Sequence, residues 1–385
     1  MAKKRVLIFI DWFLPGDRAG GPVRSVANLV AHLGEEIDFS VVTRDTDYTS
    51  KEPYEEINAD EWILTPYGAK AFYISEDNLS RDTINRLLSE TEYDHVYLNG
   101  IWSQSFTIWP LEFLRTHKKN IPVTVAVRGM LAPSALAIKS LKKKAFLHYV
   151  KWKGIFNGVT FHATTAKEAK EVRAAFGDNA KVNVAGNLPR KSTPVEYPHS
   201  ARKAGHIRLI SVARISPEKN TLYAIEVLHH TRAETEFDIW GAYYDNEYAH
   251  ACEYAAKKLP SGNAVRFNGP LPADSIHRVI AESDLLFLPT RGENFGHVIL
   301  EAMESGTPVL ISDQTPWKNL AEHKAGWDLP LEDPKAFAAI IDRVAAMDET
   351  ELAEWRRGAR EFAARYTNDE MLLSLNRQLF SQTAG

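Results

Sequence analysis

The chain has 385 residues, 44% of them hydrophobic, a formal net charge of −4 and a single cysteine, Cys252. That length exceeds one ordinary domain and suits two, each with a sizeable core. The balance of charge gives no general pull toward nucleic acid, the lone cysteine excludes an internal disulfide and fits a reducing cytoplasm, and no apolar run reaches the roughly 18 residues that a membrane-spanning helix needs.

The opening MAKKRVLIFIDWF holds a short apolar run broken by Asp11, with no small-residue cleavage site after it. It reads as a buried first strand over 6–10 rather than a signal peptide. Gly16, Gly20 and Gly21 follow, then Pro22 at a helix start and a helix over 23–33. Glycines there let a backbone approach a ligand closely, although a plain strand-to-helix turn reads as well. A strand over 39–43, a helix over 79–89 and a strand over 95–98 come next. Asn99 closes that strand in YLNGIW, with Trp102 and Trp109 just beyond as stacking platforms for a sugar or as core. A strand over 121–127 ends at Arg128 in VAVRGML, a reasonable ligand contact or surface ion pair. A long helical region then runs to about residue 156.

In that region Lys139, Lys142, Lys143, Lys144, Lys151 and Lys153 interleave with Phe146, Leu147, Tyr149, Val150 and Trp152. A basic helix with aromatics suits an anionic bilayer surface, and an ordinary solvated face explains it equally. A strand over 159–162 and a helix over 167–176 complete the series. Residues 187–206, with Pro189, Pro194 and Pro198, read as a linker. A second series follows: strand 207–212, helix 221–229, strands at 237–240, 265–268 and 285–288, and helices over 334–366 and 369–381. Short continuous apolar strands alternating with helices predict two doubly wound parallel-sheet α/β domains, 1–190 and 207–365, with a cleft between them.

The densest chemistry lies in GENFGHVILEAMESGTPVL, residues 292–310. Glu293 precedes a short loop, Asn294-Phe295-Gly296, and a helix that starts near His297 and contains Glu301. A glutamate before a helix N-terminus can grip hydroxyls, and the free N–H groups beside it favour a diphosphate. Glu301 lies where a ribose could rest. Arg214 and Lys219 follow a buried strand and precede a helix, well placed to stabilise charge that grows on a leaving diphosphate. Glu304 reads as solvated and Cys252 as structural. Thirteen histidines show no metal-ligand spacing, so neither a metal nor another cofactor is expected.

These motifs resemble the retaining GT-B glycosyltransferases of family 4, the group 1 enzymes of bacterial surface polysaccharide synthesis. SVARISPEKN resembles their Arg-then-Lys phosphate loop, residues 292–310 their nucleotide-sugar signature, SDLLFLPT and SDQTPW the neighbouring segments, and FLPGDRAGGPVRSVANLV their glycine loop. The resemblance implies two Rossmann-like domains, with residues 366–385 forming a helix that packs back on the first. It implies metal-independent hexosyl transfer with retention, from a nucleoside-diphosphate sugar to a saccharide or lipid-linked acceptor. Arg214, Lys219 and Glu293 would carry the chemistry. Gly20, Gly21, Asn294, Phe295, Gly296, His297 and Glu301 would bind the donor. Asp17, Arg18, Asn99, Trp102 and Arg128 would face the acceptor or the cleft. Asn99 stands where many members have a histidine, a departure from the pattern. The rivals are a GT-B-fold epimerase, a non-catalytic saccharide-binding protein and a dinucleotide oxidoreductase. The last should show Gly-x-Gly-x-x-Gly, which the glycine loop lacks although Asp45 is roughly placed.

Overall fold

Successive residues of a strand point to opposite faces of its sheet, so a run buried on both faces must be apolar throughout. The computed structural model, which describes residues 3–16, 18–137, 140–191, 203 and 205–381, builds both halves of the chain this way. The chain divides into two compact units, Met1–Lys191 with Asp369–Gly385, and Ser192–Asn368.

The first unit holds strands β1 (Lys4–Ile10), β2 (Ile37–Arg44), β3 (Trp62–Leu64), β4 (Lys70–Ile74), β5 (His95–Asn99), β6 (Val123–Ala126), β7 (Thr160–Ala163) and β8 (Lys181–Val184). They form one sheet in the order β3-β4-β2-β1-β5-β6-β7-β8. Its helices are α1 (Gly21–Leu33), α2 (Arg81–Glu90), α3 (Trp109–His117), α4 (Pro133–Ala137), α5 (Ser140–Trp152) and α6 (Ala166–Phe176). On α1 the buried Val23, Val26, Leu29, Val30 and Leu33 recur at helical spacing, which is why this segment lies against the sheet.

In the second unit β9 (His206–Val212), β10 (Glu234–Trp240), β11 (Asn263–Gly269), β12 (Leu285–Leu288), β13 (Val309–Ser312) and β14 (Gly326–Leu329) form a parallel sheet ordered β11-β10-β9-β12-β13-β14. Its helices are α7 (Thr221–Val227), α8 (Asn246–Ala256), α9 (Ile276–Ala281), α10 (His297–Glu304), α11 (Pro334–Ala346) and α12 (Glu349–Thr367). Leu209, Phe287 and Leu310 enter one apolar cluster, while their neighbours Ile210, Leu286 and Ile311 enter another. Both faces are therefore covered. Last comes α13 (Glu370–Gln378), assigned to the first unit, where Arg377 pairs with Glu36 at 2.6 Å and Phe380 packs on Phe39 and Tyr97.

Two details depart from the sequence reading. The first sheet is not wholly parallel, because β3 runs antiparallel to β4. The helical stretch over 334–366 breaks between α11 and α12, where the Asp348 side chain accepts from the Glu351 N–H and starts a new helix. Most of the proposed linker, 192–202 and 204, lies outside the described residues.

Candidate functional site

In the second unit the sheet delivers two loops side by side, because β9 and β12 are neighbours and both run toward the same end. The loop after β9 carries Arg214 and Lys219, and the loop after β12 carries Glu293. They are stitched together by the main chain: the Arg291 N–H donates to the Glu218 carbonyl at 2.8 Å, and the Thr290 hydroxyl donates to the same carbonyl at 3.1 Å. The result is an ion pair between Lys219 Nζ and Glu293 Oε1, with 17% and 13% of the two side chains exposed. The sequence gives these residues separate tasks, and nothing in it announces that they meet. Arg214 is half-buried, its guanidinium carbon 5.7 Å from the centre of the Tyr244 ring.

Gly296 opens α10 in a left-handed conformation, φ 77, and a Cβ there would lie 2.7 Å from Ile299 Cδ1. Only glycine fits that turn without a shift. No side chain caps α10, whereas Asp245, Asp333 and Asp348 cap α8, α11 and α12. Its first N–H groups and its dipole favour an anion. Asn294 is half-buried and Glu301 buried, one turn into α10.

The Phe295 ring is buried against Trp317 and Tyr366, and the Trp317 indole N–H donates to the Phe295 carbonyl at 2.6 Å. This packing anchors the loop. His297 is buried edge-on to Phe295. Glu304 is not solvated as the sequence suggests, since it is half-buried beside His277 at 3.4 Å. Burial pushes the Cys252 thiol up to about 11, so it stays protonated within α8.

In the first unit the candidate residues collect at the carboxyl ends of β1, β5 and β6. Gly20 is left-handed at φ 72, and a Cβ added at Gly20 or Gly21 would meet nothing within 4 Å, so the loop leaves room for a ligand. Gly16 is different: a Cβ there would strike the Tyr54 hydroxyl at 2.1 Å. Arg18 is exposed and its N–H donates to Asp47 at 3.2 Å, while Asp17 lies outside the described residues. Arg128 forms no surface ion pair among the described residues. Its guanidinium donates to Asn99 Oδ1 and to the Tyr97 hydroxyl at 2.8 Å each, and to Asn187 Oδ1 at 2.5 Å.

Sequence reasoning overlooked Asp11, Tyr97 and His162. Asp11 directly follows β1, accepts from the Ser103 hydroxyl at 2.9 Å and lies 4.0 Å from Arg44, and burial raises its carboxyl above the usual range. A charge closing the apolar run RVLIFI is the signal that could have found it. Tyr97 and His162 read as ordinary strand residues.

Trp102 is half-buried against Phe146, and Trp109 packs against the same core with Arg81 over its ring. On α5, Phe146, Leu147 and Val150 turn inward, and Lys143 donates to the Ala135 carbonyl. Leu141, Tyr149 and Trp152 stand out at 82%, 44% and 73% exposure, with Lys142, Lys144, Lys151 and Lys153 also exposed. Lys139 lies outside the described residues.

Among the described residues no helix is long and apolar enough to cross a membrane, and no group of three or more His, Cys, Asp or Glu is arranged to hold a metal ion.

The family model described as "Glycosyl transferases group 1" matches residues 195–362, the part of the chain that holds Arg214, Lys219, Glu293 and α10. The D-inositol 3-phosphate glycosyltransferase of Jonesia denitrificans is 33% identical over 231 residues, covering 54% of this chain and 53% of that protein. The putative colanic acid biosynthesis glycosyltransferase WcaL of Salmonella typhimurium is 25% identical over 182 residues, covering 46% of this chain and 44% of its own. The chain thus spans about half the length, or less, of the curated relatives it matches. The crystal structure of Anabaena HepE in complex with UDP and glucose superposes with a TM-score of 0.72 at 16% identity, over 98% of each chain. At that identity the likeness shows the fold alone: the chain has the GT-B fold of glycosyltransferases, and its residues 195–362 match the group 1 family.

Proposed function

We propose that this protein is a retaining, metal-independent glycosyltransferase that moves a hexosyl group from a nucleoside-diphosphate sugar to a saccharide or lipid-linked saccharide, in the assembly of a bacterial surface polysaccharide. The observation that carries the reading is the loop pair of the second unit: Arg214, Lys219 and Glu293 beside the uncapped start of α10. Two cations and a helix start that no side chain caps suit a diphosphate, and a carboxylate beside them suits sugar hydroxyls. The names of the relatives support glycosyl transfer, and that of WcaL supports polysaccharide assembly. Neighbouring structures are described with UDP and glucose or with UDP-glucose, so UDP-sugars are the first donors to test.

In this reaction the bond between the anomeric carbon and the β-phosphate oxygen breaks, and a bond from the acceptor oxygen to the same carbon forms on the same face. The acceptor proton passes to the departing phosphate. Arg214 and Lys219 stabilise the charge that grows on the diphosphate, and Glu293 positions the sugar. The acceptor is held by the first unit through Asn99 and Arg128.

The protein works in the cytoplasm at the inner face of the membrane. Leu141, Ala145, Tyr149 and Trp152 recur at helical spacing along the exposed side of α5, flanked by exposed lysines. That combination fits an anionic bilayer, apolar groups entering the interface and ammonium groups meeting the phosphates.

The test is a thermal-shift screen of nucleotide sugars followed by transfer in EDTA. A hit with a UDP-sugar and a product whose anomeric proton coupling matches the donor's support the reading. An inverted anomer refutes retention, loss of transfer in EDTA refutes metal independence, and an altered nucleotide sugar formed without acceptor indicates an epimerase instead.

A further inference from the structure

Arg128 is held in an unusual way. Its backbone is left-handed, φ 55, and Gly129 follows at φ 72. A non-glycine residue keeps that conformation only where its surroundings impose it. Here they do, through three hydrogen bonds to neutral acceptors, Asn99, Asn187 and Tyr97.

The polarity of that cradle is fixed from behind. His162 Nε2 lies 2.8 Å from the Ala185 carbonyl, which only accepts, so the imidazole proton is there. Nδ1 is then the acceptor for the Tyr97 hydroxyl at 2.8 Å. With its proton committed to His162, Tyr97 turns a lone pair to the guanidinium. Burial lowers His162 to about 3, so the ring stays neutral. The carboxylate nearest in the chain of contacts, Glu168, takes the N–H groups of Gly129 and Thr164 and the Thr164 hydroxyl, not the guanidinium.

The outcome is a half-buried, immobilised cation whose partners among the described residues are all neutral, with N–H groups still to donate. Beside it Asn99 gives its amide oxygen to Arg128, and its amide nitrogen has no partner among the described residues. A half-buried cation whose described partners are all neutral is a good receptor, because an arriving anion adds a charge-assisted hydrogen bond that no neutral partner supplies.

We propose that Arg128 and Asn99 receive an anionic group, carboxylate or phosphate, on a substrate saccharide, so that the protein selects an acidic sugar. The inference deepens the transferase reading and rests on it for the identity of the ligand as a saccharide. Both residues are ligand contacts, and Tyr97 and His162 are positioning residues behind them.

The test is calorimetric titration of the full chain with methyl glucuronide, glucose 6-phosphate, methyl glucoside and inorganic phosphate, with UDP-glucuronate and UDP-glucose as a second pair. We expect an acidic saccharide to bind at least tenfold more tightly than its neutral partner, with that preference lost in Arg128→Gln and partly kept in Arg128→Lys. Preference within the methyl glycosides places the acid on the acceptor, and preference within the UDP-sugars places it on the donor. Tyr97→Phe, which keeps the ring packing, should reduce the preference about threefold and serves if Arg128→Gln does not fold. Equal binding of acidic and neutral sugars, or acid preference that survives Arg128→Gln, overturns the proposal. Binding of UDP without any acid preference overturns it while the transferase reading stands. Arg128-dependent acid binding without UDP binding upholds this site and overturns the transferase reading.

Discussion

Replacing Glu293 by Gln should move binding and turnover in opposite directions. In the proposed reaction Lys219 meets the diphosphate, yet it is already paired with Glu293. An incoming phosphate must share Lys219 with that carboxylate and approach a negative charge as well. At an effective dielectric of about 20, unit charges about 4 Å apart interact by about 4 kcal/mol. Fully exposed pairs are worth only about 0.2–1 kcal/mol. With 17% and 13% of the side chains exposed, this pair falls between those limits. Removing the carboxylate charge should therefore favour UDP by about 1–2 kcal/mol, or about five- to thirtyfold in Kd. Turnover should fall strongly, because the sugar loses the carboxylate that positions it. Calorimetry with UDP at fixed pH and ionic strength reads the first effect, and transfer at saturating donor reads the second. Unchanged or weaker UDP binding by a folded Glu293→Gln protein would refute the electrostatic argument. Near-wild-type turnover would refute the positioning role.

Four further outcomes are expected. Arg214→Ala and Lys219→Ala should each cost on the order of 10²-fold in transfer rate, and rescue by added magnesium would contradict the charge-stabilising role. The protein should sediment with anionic vesicles at low salt and release as salt rises, and charge reversal at Lys142, Lys144, Lys151 and Lys153 should abolish this, whereas equal binding to neutral vesicles would leave α5 an ordinary surface. Stability should fall with acid, because burial lowers His95 and His162 to about 3 while the unfolded chain protonates its histidines near 6.5. Their contribution is intact above about pH 6.5 and declines as pH falls toward 3, by up to about 1.4 kcal/mol per pH unit for each ring; His95→Asn should flatten the fall in melting temperature between pH 7 and 5, and an unchanged slope would count against it. Asp284, fully buried between Arg208 at 2.9 Å and Arg356 at 3.2 Å, should cost about 3–5 kcal/mol when changed to Ala, since both guanidinium groups lose a buried carboxylate; a chemical denaturation midpoint that hardly moves would refute that.

How much of this could be read from the chain depends on the range of the forces involved. The run LLFL becomes β12 because both faces of its sheet are covered, so uniform apolarity is itself the signal. The segment WIL gives no such signal: β3 is three residues long at a sheet edge, with Leu64 79% exposed, and its pairing to β4 is antiparallel. The π-helical turn Gln104–Ile108 carries no periodic mark either. At the site, Glu293 and Gly296 announce themselves by local context. The ion pair to Lys219 joins residues 74 positions apart, and the Arg128 cradle draws on Tyr97, Asn99 and Asn187. Composition and period say which face a residue lies on, not which group waits there from another strand.

The return of α13 to the first unit has a consequence for how the chain is made. The first unit is interrupted in sequence by the whole of Ser192–Asn368, and its final pieces, Arg377 on Glu36 and Phe380 on Phe39, His95 and Tyr97, arrive last. A ribosome therefore synthesises the whole of Ser192–Asn368 before it supplies the residues that finish the first unit. Until then Phe39 and Tyr97 lack the ring that covers them, and the nascent first unit presents an apolar patch of the kind that chaperones hold and proteases find. Arrest at any codon between Lys191 and Asp369 would yield a first unit without its closing segment, however perfect the sequence already translated.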